Sequence, residues 1–348
     1  MSIPAPIRAD ADLSTLNTLG VAARAAWLAE PTTLDELADC LTWAKAQAQP
    51  VLQLGGGSNL VFAADWPGLA LRPALTGREL TGEDADFFHV RAAAGENWHE
   101  FVRWTLDQGW PGLENLALIP GVVGAGPIQN IGAYGLELAD RVEAVEVLDR
   151  SSGEVRQLSR AQCRFAYRDS VFKHEGRDLV VLSVTFALPR AWQANVQYRD
   201  LAEELGRNGV AEPTAREVFD AVVAVRKRKL PDPARTGNVG SFFKNPIVDA
   251  QSFAALKARE PELVAYPQAD GRFKLAAGWL IDRAGWKGRK MGAAGVHPNQ
   301  ALVLVNNGGA SGAEVLALAR AIQADIANRF GISLETEPIL IESGSKLR

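Results

Sequence analysis

The stretch ENLALIPGVVGAGPIQNIGAYGLEL, residues 114–138, constrains this chain more than any other. Glycines at 121, 124, 126, 132 and 135 and prolines at 120 and 127 interrupt both the helical and the strand period. Irregular backbone over residues 110–136, inside an otherwise patterned chain, is usually functional. Its apolar residues are mixed with the polar pair Gln129 and Asn130 and carry few charges. Such a segment suits main-chain contacts around a large, mostly apolar cofactor ring. Packed structural turns are the other reading, and the number of glycines beside isoleucine and valine favours the cofactor.

Periodic segments surround it. Helices are expected in TTLDELADCLTWAKAQ, with a capping box from Thr33 to Glu36, and in ENWHEFVRWTLDQG, with Trp98, Phe101, Val102, Thr105 and Leu106 on one stripe. Two more are TAREVFDAVVAVRKRK, boxed by Thr214 and Glu217, and SGAEVLALARAIQADIANRFG, boxed by Ser311 and Glu314 and stopped at Gly331. Strands are expected in PVLQLGGG, LALRPAL, FFHVRAAAG, DLVVLSVTFAL, QALVLVNN and PILIE, and a hairpin in VEAVEVLDRSSGEVRQLSR. The mixture reads as α+β.

LGGGSNL, residues 54–60, follows an apolar strand, and its glycines allow a row of N–H groups to cradle phosphate oxygens. A tight turn between strands explains the same residues equally well. It is neither a dinucleotide-fold fingerprint nor a P-loop. The net charge of −4 argues against a general nucleic-acid binder. Four histidines without metal-ligand spacing argue against a metal site, and two cysteines, Cys40 and Cys163, make no disulfide framework. There is no apolar run of membrane-spanning length and no secretory leader pattern. A cytoplasmic protein, without membrane insertion, is expected.

LGGGSNL, IPGVVGAGPIQNIGAYG, YRDSVFK, GNVGSFFKNP and LETE occur in that order. Together they resemble the UDP-N-acetylenolpyruvoylglucosamine reductases over about residues 14–342. The two glycine-rich blocks alone would fit the wider flavoprotein family that includes vanillyl-alcohol-oxidase-like (PCMH-like) enzymes. The resemblance implies a three-domain flavoprotein: 1–75 with 329–348 as a first FAD-binding domain, 76–213 as a second, and 214–328 as an α+β substrate-binding domain. It implies non-covalent FAD, NADPH as reductant and the enolpyruvyl UDP-sugar as substrate, in a step of peptidoglycan precursor synthesis. Neither glycine-rich block holds a histidine or cysteine for covalent flavin attachment. A monomer is expected. The competing readings are an oxidase of the wider family and a non-catalytic flavin or nucleotide-sugar binder.

Reduction of an enolpyruvyl ether brings hydride to C3 and a proton to C2, and leaves transient negative charge shared with the carboxylate. A cation must hold the carboxylate and a donor must face C2. By resemblance, Ser241 is the proton donor and Arg168 grips the carboxylate. The match in LETE falls on Glu337, which orients Arg168 or polarises the enol ether. On residue type alone Ser241 caps a turn, Arg168 pairs at the surface with Asp169, and Arg226 to Arg228 form a solvated helix end. The resemblance assigns FAD contacts to Gly55, Gly56, Gly57, Ser58, Asn59, Pro120, Gly121, Gly124, Gln129, Asn130, Gly132, Ala133 and Tyr134. It assigns substrate-side roles to Tyr167, Lys229, Asn245, Tyr266, Lys287 and Gln300. Tyr198 in NVQYRDL matches the mobile tyrosine loop of the longer class of these reductases, although Arg199 after it departs from the expected form.

Overall fold

The computed structural model describes residues 2–344, which form two compact units. The first comprises the chain up to Ala11, Ala25–Gly56 and Trp66–Arg228; the second comprises Asp12–Arg24, Gly57–Asp65 and the chain from Lys229 onward. Seven helices are used below: α1 (Leu34–Ala46), α2 (Trp98–Asp107), α3 (Arg199–Arg207), α4 (Ala215–Lys229), α5 (Ala250–Arg259), α6 (Ala277–Arg283) and α7 (Gly312–Phe330).

Two sheets build the first unit. One has strands Ile7–Asp12, Arg24–Ala29, Trp66–Leu71 and Val51–Gln53 in that order, the last three mutually parallel. Parallel neighbours need crossovers, and α1 supplies the one between Arg24–Ala29 and Val51–Gln53. Leu37, Cys40, Trp43 and Ala44 of α1 are buried with Leu69 and Leu71 of the sheet. The second sheet is antiparallel, with strands Val155–Ser159, Val142–Asp149, Leu179–Pro189, Phe87–Ala93 and Arg78–Glu83 in order. Its first pair is the hairpin expected around Ser151–Gly153, and Gly153 takes the left-handed turn at φ 78°. The stripe on α2 packs on this sheet: Trp98 and Phe101 lie with ring centroids 6.0 and 5.3 Å from Phe186. Burial of each such side chain is worth about 1.5–3 kcal/mol.

The second unit holds a sheet of strands Gly237–Ser241, Val303–Asn306, Ala294–Val296 and Lys290–Met291, and a smaller one of Ile247–Val248, Phe273–Leu275 and Ala265–Pro267. Strand Ile339–Ile341, the last among the described residues, pairs in parallel with Leu60–Phe62, one of the first. Helix α7 has the reciprocal Ser311–Glu314 box and a left-handed Gly331 at its C-cap.

Three expectations need correction. Thr33 accepts the Glu36 N–H, but the Glu36 carboxylate reaches past it to the backbone and hydroxyl of Thr32, so the box is offset by one residue. The strand placed at LALRPAL runs from Trp66 to Leu71 and stops before Pro73, which has no N–H to continue the ladder. The helices α3, α5 and α6 were not foreseen. They have 9, 10 and 7 residues, too short for a sustained period, and packing stabilises them more than propensity does.

Candidate active site

In the first unit the two glycine-rich segments pack on each other. A Cβ built on Gly56 would lie 2.6 Å from the Gly121 Cα, closer than real atoms come. The absent side chains therefore let two main chains touch, a need the sequence does not separate from contact with a ligand. Residues 120–126 are also stitched to the start of α2. Gly121 O accepts from Trp98 N–H at 3.1 Å, Val123 N–H donates to Glu96 O at 2.9 Å, and Trp98 Nε1–H donates to Leu116 O at 2.8 Å. Among the described residues, Gly55 and Gly56 donate to no main-chain carbonyl.

The charges of the segment are turned to local partners. Glu114, 2% exposed, accepts from Gly112 N–H at 2.7 Å and from Trp192 Nε1–H at 2.6 Å. Glu137 accepts from Asn130 Nδ2 at 2.8 Å. Between these two carboxylates, residues 115–136 carry no charged side chain, and main-chain donors lie at one end of the site. These residues fit the ring and diphosphate of a flavin dinucleotide.

Arg168 sits on a tight turn in which Ala166 and Asp169 exchange main-chain bonds of 3.0 and 3.1 Å. Its φ of 55° is uncommon for a residue with a side chain, and such strain gathers at functional sites. The turn is bolted to the second glycine-rich segment. Arg168 Nη2 donates to Gly132 O at 3.0 Å, Asn130 Nδ2 to Ala166 O at 3.1 Å, and Ser170 Oγ to Ile128 O at 2.6 Å. Lys173 Nζ donates to Arg168 O at 3.0 Å. Asp169 is engaged by His174 at 2.8 Å; burial pulls its carboxyl up, but that bond and the nearby charge outweigh it and leave it low. The surface pairing of Asp169 is thus with His174. The Arg168 guanidinium lies over the Tyr167 ring at 5.3 Å.

Tyr134, with φ 48°, packs its ring edge-on to Tyr198 at 5.1 Å. The chain before Tyr198 is held by Asn115 Nδ2 on Asn195 O at 2.8 Å and by Asn195 Nδ2 on Gly135 O at 2.9 Å. Burial pushes the Tyr134 phenol up. Arg226 lies near enough to that tyrosine for the two to interact electrostatically, and its Nε is buried without a partner among the described residues. The expectation of a solvated helix end therefore fails for Arg226: the apolar stripe of α4, with Val218, Val222 and Val225 buried, turns it inward.

In the second unit, Ser241 follows a bulge between Asn238 and Ser241 in the pairing with strand Val303–Asn306. Gly240 supplies φ 71° with open space where a Cβ would stand, so backbone conformation and not room requires glycine there. The cap of this turn is Asn238, whose Oδ1 accepts from Gly240 N–H at 3.0 Å. Downstream, the chain pairs with the LETE segment. Glu337 N–H donates to Phe242 O at 2.9 Å, Phe243 bridges Thr336, and Lys244 N–H donates to Glu335 O at 2.9 Å. Glu337 thus lies in a short ladder that begins one residue after Ser241. The Glu335 side chain is 75% exposed and pairs with Lys244 Nζ at 3.1 Å, whereas Glu337 is half-buried. Asn59 Nδ2 donates to Glu337 O at 3.3 Å, which ties LGGGSNL to the same ladder.

The other candidates of this unit are more scattered. Asn245 Oδ1 accepts from Ala277 N–H at 3.0 Å and caps α6. Gln300 Oε1 accepts from Leu302 N–H at 3.4 Å. Lys287 pairs with Asp282. Tyr266 is 49% exposed on its strand, and Lys229 is the last residue of α4. Glu114, Asn115, Trp192, Asn195 and Lys173 escaped the sequence reading as supports of the site. All but Trp192 lay in motifs that drew notice, but their partners are set by the path of the chain.

Both cysteines are buried, with thiols pushed up to about 11 by that burial, which leaves them poor nucleophiles. No group of three or more His, Cys, Asp or Glu side chains that could hold a metal occurs among the described residues. None of their helices is long and apolar enough to cross a membrane.

A family model described as an FAD binding domain matches residues 25–159, the stretch that holds both glycine-rich blocks. Together with the uncharged loop and its main-chain donors, this defines the chain as an FAD-binding flavoprotein of α+β architecture. A second model, the C-terminal domain of UDP-N-acetylenolpyruvoylglucosamine reductase, matches residues 232–341. The reductase of that name from Paraburkholderia phytofirmans is 58% identical over 332 residues, covering 94% of this chain and 96% of the relative. The one from Azoarcus sp. is 55% identical over 342 residues, covering 97% and 99%. A solved reductase from Thermus caldophilus superposes with a TM-score of 0.67 at 25% identity, covering 96% of this chain and 99% of that one. The chain belongs to the UDP-N-acetylenolpyruvoylglucosamine reductase family, whose members are oxidoreductases.

Proposed function

We propose that this protein reduces UDP-N-acetylenolpyruvoylglucosamine to UDP-N-acetylmuramate with NADPH as reductant, in the cytoplasm, as a step of peptidoglycan precursor synthesis. The observation that supports the reading is the ladder joining Phe242–Lys244 to Glu335–Glu337, in which Glu337 bonds the main chain of Phe242, the residue after Ser241. FAD, bound without a covalent link, would accept hydride from NADPH and supply it to the substrate.

The protein's own groups do the rest. Arg168 holds the carboxylate that shares the negative charge, and its fork suits two oxygens. The Ser241 hydroxyl delivers a proton to C2. A hydroxyl is a weak acid, so the transfer depends on a strongly basic carbon and a fixed donor. The bulge at Gly240 supplies the fixing, and the Asn238 cap leaves the serine out of the turn's own bonding. Glu337 polarises the enol ether or orients Arg168.

Gly55, Gly56, Gly57, Ser58 and Asn59 face the diphosphate. Pro120, Gly121, Gly124, Gln129, Asn130, Gly132, Ala133 and Tyr134 surround the ring. Asn130 does so through its backbone, because its side chain is occupied by Glu137, Ala166 and Ala139. Tyr167, Lys229, Asn245, Tyr266, Lys287 and Gln300 contact the UDP-sugar. Tyr198 closes over it, as in the longer class of the family. The three-part division at residues 75, 213 and 328 and a monomeric state complete the proposal.

The test is anaerobic mixing of the yellow protein with NADPH and then with the enolpyruvyl sugar. Bleaching followed by recovery of the flavin absorbance is expected. Recovery that requires oxygen and ignores the sugar would assign the protein to the oxidases.

A further inference from the structure

His99 stands one residue inside α2, on the face that receives the cofactor loop. Its Nδ1 accepts the Leu118 N–H at 3.0 Å, so the ring proton sits on Nε2. The ring lies parallel to Phe219 of α4, with centroids 5.2 Å apart and planes at 4°. Leu118 has φ 58°, a conformation that a leucine holds only under constraint. Two residues on come Pro120 and Gly121, the latter packed against Gly56. Of the bonds that stitch residues 116–123 to the start of α2, those made by Trp98 and Glu96 use groups that do not titrate: an indole N–H and main-chain atoms. The bond to His99 alone among these depends on a lone pair that a proton can take.

We infer that His99 positions the Leu118–Gly121 segment for FAD, and that protonation of its Nδ1 releases this segment and weakens FAD binding. The inference rests on the reading of residues 120–124 as cofactor-binding. A protonated ring would set an N–H against the Leu118 N–H, two donors face to face. The charged groups around the ring are Glu100 and Arg103 on α2 and Arg226 and Lys227 on α4, and Leu118–Gly121 adds no titratable side chain. Burial comes first in holding the imidazole below its ordinary value of 6.5; Glu100 opposes it, and the three cations add to it.

The bound, closed segment prefers neutral His99, and the released segment leaves the ring nearer its ordinary value. The released state therefore takes up more protons below pH 6.5, and acid favours it. From about one pH unit above that value both states bind almost no proton and affinity is flat.

The experiment follows flavin fluorescence on release from the full-length holoprotein between pH 8 and 5, for wild type, His99→Asn and His99→Phe. Asparagine places an acceptor near the Nδ1 position and does not titrate. Wild-type affinity should fall by about three- to tenfold over this range, within the slope that one proton allows. His99→Asn should stay flat, and His99→Phe should bind several-fold more weakly even at pH 8. A parallel fall in wild type and His99→Asn, a flat wild type, or full affinity in His99→Phe overturns the inference. A second measurement needs no substitution and no FAD: the hydrogen-exchange protection of the Leu118 amide, corrected for intrinsic exchange. It should drop below pH 6.5 while neighbouring core amides keep theirs. An unchanged Leu118 amide sinks the switch, whereas failure of the protein to bind FAD at any pH sinks the cofactor reading instead.

Discussion

Ser241 shows how one residue is read at the scale of its own bonds. Its turn is capped by Asn238, its backbone is set by a left-handed Gly240, and its neighbour Phe242 carries the carbonyl that receives Glu337. Ser241→Ala should leave FAD binding and reduction by NADPH close to normal. Reoxidation by the enolpyruvyl sugar should slow by about 10²–10⁴-fold, the contribution of a positioned acid. Stopped-flow measurement of the two half-reactions decides it, and wild-type reoxidation in the variant would move the proton to water or Glu337. Arg168→Lys keeps the charge but loses the fork and the bond to Gly132 O. A lost hydrogen bond from a charged group costs about 1.5–3 kcal/mol, so sugar reduction should fall roughly tenfold to a hundredfold. Flavin reduction should hardly change, and equal loss in both half-reactions would make Arg168 a structural residue.

Among elements, the informative contact is between two loops. Gly56 and Gly121 touch through their main chains, and the segment around Gly121 hangs from the N-terminus of α2. Gly56→Ala puts a methyl where backbone already stands, and overpacking of this kind costs typically about 1–3 kcal/mol. The purified variant should lose much of its bound flavin on gel filtration and melt at lower temperature. Full flavin content would mean that the loops part without cost. The same scale shows where the sequence was readable. The boxes Thr214–Glu217 and Ser311–Glu314 form as expected, because a cap needs only residues three apart. The Thr33 box slipped by one residue because Thr32 offers a second hydroxyl and N–H in reach of Glu36.

At the scale of the molecule, each of the two units is assembled from distant parts of the chain. Strand Ile339–Ile341 pairs with Leu60–Phe62 across most of the sequence, and Ile341 is fully buried. A chain ending at residue 337 should lose the pairing of that early strand. Burial of Ile341 alone is worth about 1.5–3 kcal/mol, so the melting temperature should drop by several degrees, with poorer solubility as the freed strand edge is exposed. A truncated protein with an unchanged melt would show that this pairing adds nothing to the second unit.

What the sequence determined by itself was local or carried in motifs. Helices with caps, the hairpin at Ser151–Gly153, the irregular glycine-rich segment and the order of five motifs depend on residues close together in the chain. The family that those motifs resembled is the one to which the chain belongs. Only the tertiary structure decided which glycines meet other backbone, that Glu335 faces Lys244 at the surface, that Arg226 turns inward, and that His99 holds Leu118. Each is a contact between segments many residues apart or between helix faces. A burial pattern or a hydrogen-bond partner of that kind has no periodic signature, because it depends on the path of the chain through space and not on spacing along it.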